Sequence, residues 1–473
     1  MTTLHDNFVK LIIPFEYSKE YSSTVSKIRE SKSWKQNERV SRDLFLHAKR
    51  LISSEISENS IGANFLLSQE GRKDLEFPLL KDQFGVLLKK GAEGPDLPDF
   101  KIRFSIPEVY LYLFETRVGF IVLDIKYAEP ESLEAVEMAN HQLKKIALSR
   151  SFIYRDGEKS EKNEKGIGFF DRFFESLKLL VSLVSFFEEQ DRMLRHFYLF
   201  SYLILDHVPE SETERNKLIA ETLFRMRNGF HAHYHPSKKE YDLEHNSQFL
   251  SFVHNIFWGV SQDGAACVAF LTEDSRQTHF LTHIFRYNVE NSYFYLYMLA
   301  MAQCFSLLSI SKRTAELPPE IRGSIDVLKN KKEIIEAIDA LQQEIVLYGL
   351  RINYSQVAFN FHYTLFYEKL REVFRLDYQH AELDAEVKNL GALINIIEQK
   401  KQKNFELFVL AGAFVFALVS VASDGLGFLQ TMKWFNTDCP LWSLTELTAV
   451  VAFVLMIFRH FLKKNIFFSI RKR

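Results

Sequence analysis

Cysteine is scarce in this chain. Only Cys267, Cys304 and Cys439 occur among 473 residues, an odd and scattered set that offers neither a disulfide framework nor the paired spacing of a zinc site. Such usage suits a mainly cytosolic protein. A surplus of charge is missing too. Lys and Arg number 59 against 61 Asp and Glu, a formal net charge of −2, so no global field draws the chain to nucleic acid and no stable nucleic-acid binding is expected. No Walker-type loop, Gly-x-Gly-x-x-Gly turn or Gly-x-Ser-x-Gly elbow is present, which removes the usual phosphate cradles and the usual hydrolase nucleophile. The opening "MTTLHDNFVKLIIPFEYSKE" holds an apolar run too short and too soon interrupted for a secretory signal. The N-terminal mass is therefore expected in the cytosol. Proline is absent between Pro319 and Pro440, so the strongest helix breaker is missing there.

What the chain has in quantity is apolar surface: 47% hydrophobic residues, with 44 Phe dominating the aromatics. Its length predicts two or three domains. "KKGAEGPDLPD" at 89–99 reads as a loop. After it, "KIRFSI", "VYLYLF" and "GFIVLDIKY" read as strands, with "ETRVG" as the hairpin turn between the last two. "PESLEAVEMANHQLKKIALSR" then begins a helix with Pro130 at its first position. Residues 1–155 are thus expected to form an α/β N-terminal domain. A charged linker follows at 155–168, and "FFDRFFESLKLLVSLVSFFEEQDRMLRHFYLFSYLILDHV" opens an expected helical domain over 169–317.

From 320 to 404 the apolar positions step by four and three: Ile334, Ile338, Leu341, Ile345, Tyr348 and Ile352, then Phe359, Tyr363, Phe366, Leu370 and Val373, then Leu383, Val387, Leu390, Ile394 and Ile397. That is a heptad seam, and it predicts a long stalk helix of order 100 Å that associates with copies of itself or packs on its own domain. The alternative is a pair of shorter antiparallel helices broken near Gly349. Beyond the stalk, Leu407–Ser423 is free of charge, and Leu441–Phe458 is a second apolar stretch if Glu446 sits at the interface. Residues 405–462 therefore read as a transmembrane hairpin. Basic residues flank its outer ends, in "EQKKQKN" and in the tail at 463–473, which places both termini in the cytoplasm by the positive-inside rule. Trp434 and Trp442 stand where interfacial anchors belong. The expected localisation is the cell (inner) membrane, with the lipid bilayer as partner.

Two groups of residues could carry function. Ala413, Ala417, Ser420 and Asp424 fall at steps of four, three and four on the first span and share one helix face. In an oligomer that face would line a pore, with Asp424 as an acidic ring at its outer mouth. The alternative for these positions is tight packing, with Asp424 in the headgroup zone. Glu446 is a second intramembrane acid. The other group is "FRMRNGFHAHYHP" at 224–236. Arg227, Asn228 and His233 resemble the loose Arg-Asn-x4-His pattern of HEPN ribonucleases, which implies His as acid/base and Arg on the phosphate. Arg225 and Arg227 with His231 and His233 could instead hold a phosphate. The alternating His231, His233 and His235 lack a partnering ligand at metal spacing, so no metal site is assigned.

An N-terminal α/β domain, a long helix entering the first span, a short external loop, a second span and a basic tail resemble the plan of the CorA divalent-cation transporters. That family uses a Gly-Met-Asn motif at the outer end of its pore helix. Here the corresponding place reads "SDGLGFLQTMKWFN", without the motif. A subgroup lacking it serves type III CRISPR systems as membrane effectors. The resemblance implies an α+β cytosolic domain, a long stalk helix and a C-terminal two-helix transmembrane hairpin. It further implies a homo-oligomer, a pentamer in that family, and a nucleotide messenger as ligand. The reading is then a membrane channel or effector and not an enzyme, with a membrane-anchored HEPN-type ribonuclease or a divalent-cation transporter as alternatives.

Overall fold

A computed structural model describes residues 4–37, 39, 43–51, 60–74, 84–88, 100–127, 132–144, 151–155, 164–165, 183–184, 197–206, 208–315 and 331–431. The chain divides into two compact units, Met1–Asn389 and Leu390–Arg473. The described strands are β1 (Leu4–Tyr17), β2 (Trp34–Gln36), β3 (Gly62–Leu67), β4 (Phe84–Leu88), β5 (Phe100–Ser105), β6 (Val109–Phe114) and β7 (Val118–Tyr127). They continue with β8 (Ser151–Arg155), β9 (Glu164–Lys165), β10 (Leu183–Val184), β11 (Tyr198–Leu205), β12 (Phe249–Val253), β13 (Ile256–Ser261) and β14 (Gly264–Phe270). All belong to one sheet of order β12-β13-β14-β11-β1-β7-β5-β4-β8-β9, with β10 beside β1 and the branch β2-β3-β6 joined to β7.

β1 organises this sheet. Its sequence, LHDNFVKLIIPFEY, is apolar at consecutive positions, the pattern of a strand covered on both faces. Phe8 and Ile12 enter one core, while Val9, Leu11, Ile13 and Phe15 enter the other. β7 and β11 flank β1, both antiparallel to it. Pro14 is tolerated because of where it falls: the ladder to β11 ends at Ile12 and the ladder to β10 begins at Glu16, so the missing N–H costs no bond on that side. β11 and β14 are parallel, from Leu199 opposite Gly264 to Leu205 opposite Phe270. Gly264 is required there, since a Cβ would lie 2.4 Å from the Leu199 carbonyl oxygen.

Helices cover both faces. The described residues include α1 (Tyr21–Glu30), α2 (Leu46–Leu51), α3 (Gln69–Asp74), α4 (Leu133–Lys144), α5 (Glu212–Asn228), α6 (Ser275–Ala315), α7 (Lys331–Arg351), α8 (Phe361–Val373) and α9 (Leu376–Thr431). Residues of α1, α4 and α5 enter one core; residues of α6, α7, α8 and the first turns of α9 enter the other. The result is a helix–sheet–helix arrangement with two hydrophobic cores. α6 contains two π-helical segments, Phe280–Phe285 and Val289–Tyr293.

The α+β class agrees with the sequence reading, as do β5, β6, β7 and the helix after them, but three expectations are corrected. Tyr198–Leu205, read within a helix, is a strand; "YLFSYLIL" is apolar on both sides, a run whose period does not distinguish a buried strand from a buried helix. The segment 169–317 is therefore not a purely helical domain, because β11 to β14 lie in it and join the N-terminal strands in one sheet. The stalk over 320–404 is not one rod: α7 stops at Arg351, α8 starts at Phe361, and α9 starts at Leu376. The first gap is pulled out of helix by β-type pairing, in which Leu44 bridges Ala358 and the Phe45 N–H donates to the Val357 carbonyl at 2.8 Å. The second turns on Arg375, at φ 54°. Gly349 itself lies inside α7, but the helix ends two residues beyond it, so the alternative of a break near Gly349 is met at that point. The seam residues Leu341, Ile345, Tyr348, Ile352, Tyr363, Phe366, Leu370, Leu383 and Val387 are buried in this chain's own core, so that part of the seam is spent internally.

One helix among the described residues, α6, is long and apolar enough to cross a membrane, but 83% of its most apolar window is buried within the protein. Its hydrophobicity serves the core. Of the external loop expected at 424–440, residues 424–431 instead continue α9 and 432–440 lie outside the described residues, as do the stretch 441–458 with Glu446 and the tail at 463–473.

Candidate functional site

The Arg/His segment begins at the end of α5. Gly229 closes the helix in a left-handed conformation, φ 62°, and its N–H donates to the Arg225 carbonyl. Arg225 and Arg227 then take different partners. Arg225 meets Glu137 of α4 at 3.4 Å and Glu221 at 3.6 Å, and its Nε donates to the Tyr234 carbonyl. Arg227 is buried, and its Nη2 donates to Glu240 at 2.7 Å and Gln248 at 2.6 Å. Burial pulls its pKa down, against the Glu240 carboxylate. The Asn228 side chain donates to the Phe224 carbonyl. His231 is buried, its ring 4.6 Å from His141 and 5.0 Å from the exposed His233. Both arginines are thus ion-paired within the fold. No cluster of three metal-ligating side chains occurs among the described residues.

On α9, Ala413, Ala417 and Ser420 are exposed, and Asp424 is on the same helix backbone. Apolar neighbours are exposed with them: Phe405, Leu407, Phe408, Val409, Leu410, Phe414 and Phe416 range from 52% to 79%.

A third location emerges only in three dimensions. Lys10 of β1 stands opposite Asp124 of β7 in the ladder, and the two side chains pair. Lys10 is 3% exposed and has the rings of Phe294, Tyr110 and Phe8 at 4.8, 5.2 and 5.8 Å from its Nζ. Burial pushes the Asp124 carboxyl up, and the Lys10 ammonium opposes that rise. Around this pair lies a cavity of about 420 Å³. Residues of β1, β6 and β7 line it, together with Lys35 of β2, Arg39, Arg72 of α3, and Arg286 and Glu290 of α6. Arg39 holds Glu108 through both Nη atoms, at 2.6 and 2.7 Å. Arg286, located between the two π-helical segments, pairs with Asp6 and with Glu290. Arg72 donates to the carbonyls of Ile106 and Pro107.

No family model, curated protein or solved structure matches the chain.

Function must therefore be argued from these sites themselves. The cavity was not picked out from the sequence, because its charges come from Lys10 to Arg286 with no local spacing. A signal did exist. Lys10 in "FVKLIIPF" and Asp124 in "FIVLDIKY" are single charges inside apolar strands, and a buried ionisable residue of that kind requires a partner.

Proposed function

We propose that the protein is a membrane-tethered effector of CorA-like plan that alters membrane permeability in response to a small ligand, a nucleotide messenger of antiviral defence in the reading made from the sequence. The observation that carries this is the exposed apolar run of α9. Seven large apolar side chains more than half exposed within Phe405–Phe416 form a surface that water disfavours, at roughly 25 cal/mol per Å², and that lipid would cover. In this reading the stretch 441–458 completes a hairpin with both termini cytoplasmic. Ala413, Ala417, Ser420 and Asp424 face the permeation path of a homo-oligomer, with Glu446 on the second span. The ribonuclease alternative is less well supported, because Arg227, its phosphate-binding candidate, is already held by Glu240 and Gln248.

The test uses full-length protein and dye-loaded liposomes. Wild type is expected to float with the vesicles and to release dye when nucleotides are supplied. The triple variant Phe408→Glu, Leu410→Glu, Phe414→Glu should do neither, since each central charge costs an inserted helix about 2.5–3.5 kcal/mol on insertion scales. His233→Ala should release dye as wild type does. A triple variant that floats and leaks normally overturns the reading.

A further inference from the structure

We propose that the cavity over β1, β6 and β7 is the ligand site, and that it takes a small anion bearing phosphate groups. This deepens the effector reading above and relocates its ligand from the Arg225–His233 segment. The volume of about 420 Å³ falls within the roughly 300–1,000 Å³ usual for small-molecule sites. The charges decide the class. Six basic side chains line the cavity, against three carboxylates. Lys10 is matched by Asp124, Arg39 by Glu108, and Arg286 by Asp6 and Glu290. Lys35, Arg72 and Lys126 form no ion pair with a carboxylate among the described residues, and Glu108 acts on Arg72 only from a distance.

Arg72 is the most telling of the three. Its side chain is buried, with 5% of the residue exposed, yet its hydrogen-bond acceptors are two uncharged backbone carbonyls. Burial there is costly for a guanidinium; the Glu108 carboxylate offsets it only from a distance and is already held by both Nη atoms of Arg39, so an anion in the cavity compensates it further. Its position is set in advance, because those two carbonyls fix the fork while other N–H donors remain. The paired groups also help. Arg39 with Glu108 and Lys10 with Asp124 are already neutralised, so they shape the cavity without adding to its excess charge. A phosphate ester brings up to two negative charges per group and accepts paired N–H donors from a guanidinium. Three unmatched cations fit such a group better than a single carboxylate. Lys35 and Lys126 are exposed, and exposed cations on a cavity speed encounter with an anion by long-range attraction.

The experiment is calorimetric titration of the full chain in detergent micelles with pyrophosphate, and separately with citrate, a polyanion without phosphorus. Saturable pyrophosphate binding is expected, at least about tenfold tighter than citrate. Lys35→Glu combined with Lys126→Glu should weaken it at least about tenfold. Both positions are on the surface, so this variant should fold even if Arg72→Gln does not. Arg225→Gln should leave pyrophosphate binding unchanged. Absence of saturable binding, equal affinity for citrate, or indifference to the double charge reversal each overturns the proposal. Because binding is read without vesicles, the two readings fail separately. Pyrophosphate bound in the cavity of a protein that never releases dye sinks the effector and leaves the site intact, whereas nucleotide-triggered leakage unaffected by the charge reversal does the opposite.

Discussion

Lys10 and Asp124 face each other in the middle of a sheet covered on both sides. Removing one partner leaves the other buried and uncompensated, which typically costs about 3–5 kcal/mol. Lys10→Met should therefore lower the denaturation midpoint strongly, whereas Lys10→Met with Asp124→Leu should recover most of the loss; equal destabilisation by the single and double variants would refute the pairing argument. Glu137 makes a pH prediction. It is fully buried, its Oε1 has no hydrogen-bond partner among the described residues, and its carboxyl is pushed up to about 8, chiefly by burial, with Arg225 opposing. A raised folded-state pKa means that the folded protein holds the proton more tightly than the unfolded chain does. Its contribution is complete below the ordinary carboxylate range and is lost as pH rises through about 8. Urea midpoints should fall over that window and level off above it. Glu137→Gln should flatten this part of the profile. Legibility at this scale is uneven: the Arg225–His233 segment is conspicuous in the sequence, but its geometry is ordinary ion pairing, whereas Lys10 and Asp124 are isolated charges with no local spacing to mark a site.

At the scale of elements, the strands and helix of residues 100–144 could be read from alternation and turn residues because those signals are local. The break after Arg351 had only the weak mark of Gly349 two residues before it, and depends on pairing with Leu44, more than 300 residues earlier in the chain; the break before Leu376 has neither proline nor glycine to mark it. The π-helical segments of α6 are likewise invisible to a reading by periodicity. Phe280, Ile284 and Tyr287 in this part of α6 are substantially exposed, while the continuation from Phe294 to Ile310 is largely buried. Helical hydrogen bonds with less buried surface around them open more readily. Amide exchange should accordingly be at least about tenfold faster over Phe280–Tyr293 than over Leu296–Ile310. Uniform protection along α6 would contradict this.

At the scale of the whole molecule, the sequence suggested two successive cytosolic domains, and the structure joins their strands in one sheet. The physical reason is that β1 needs neighbours on both edges, β7 from one segment and β11 from the other, and pairing across such separations leaves no local trace. The same feature has a consequence for biosynthesis. β1 is the earliest described strand of the sheet to leave the ribosome, and its FVKLI stretch at 8–12 has no neighbour on one edge until β11 has followed some 180 residues later. At ordinary elongation rates of about 5–20 residues per second, that interval is of order 10–40 s. During it, a sticky strand with an open hydrogen-bonding edge must be kept from pairing with other nascent chains.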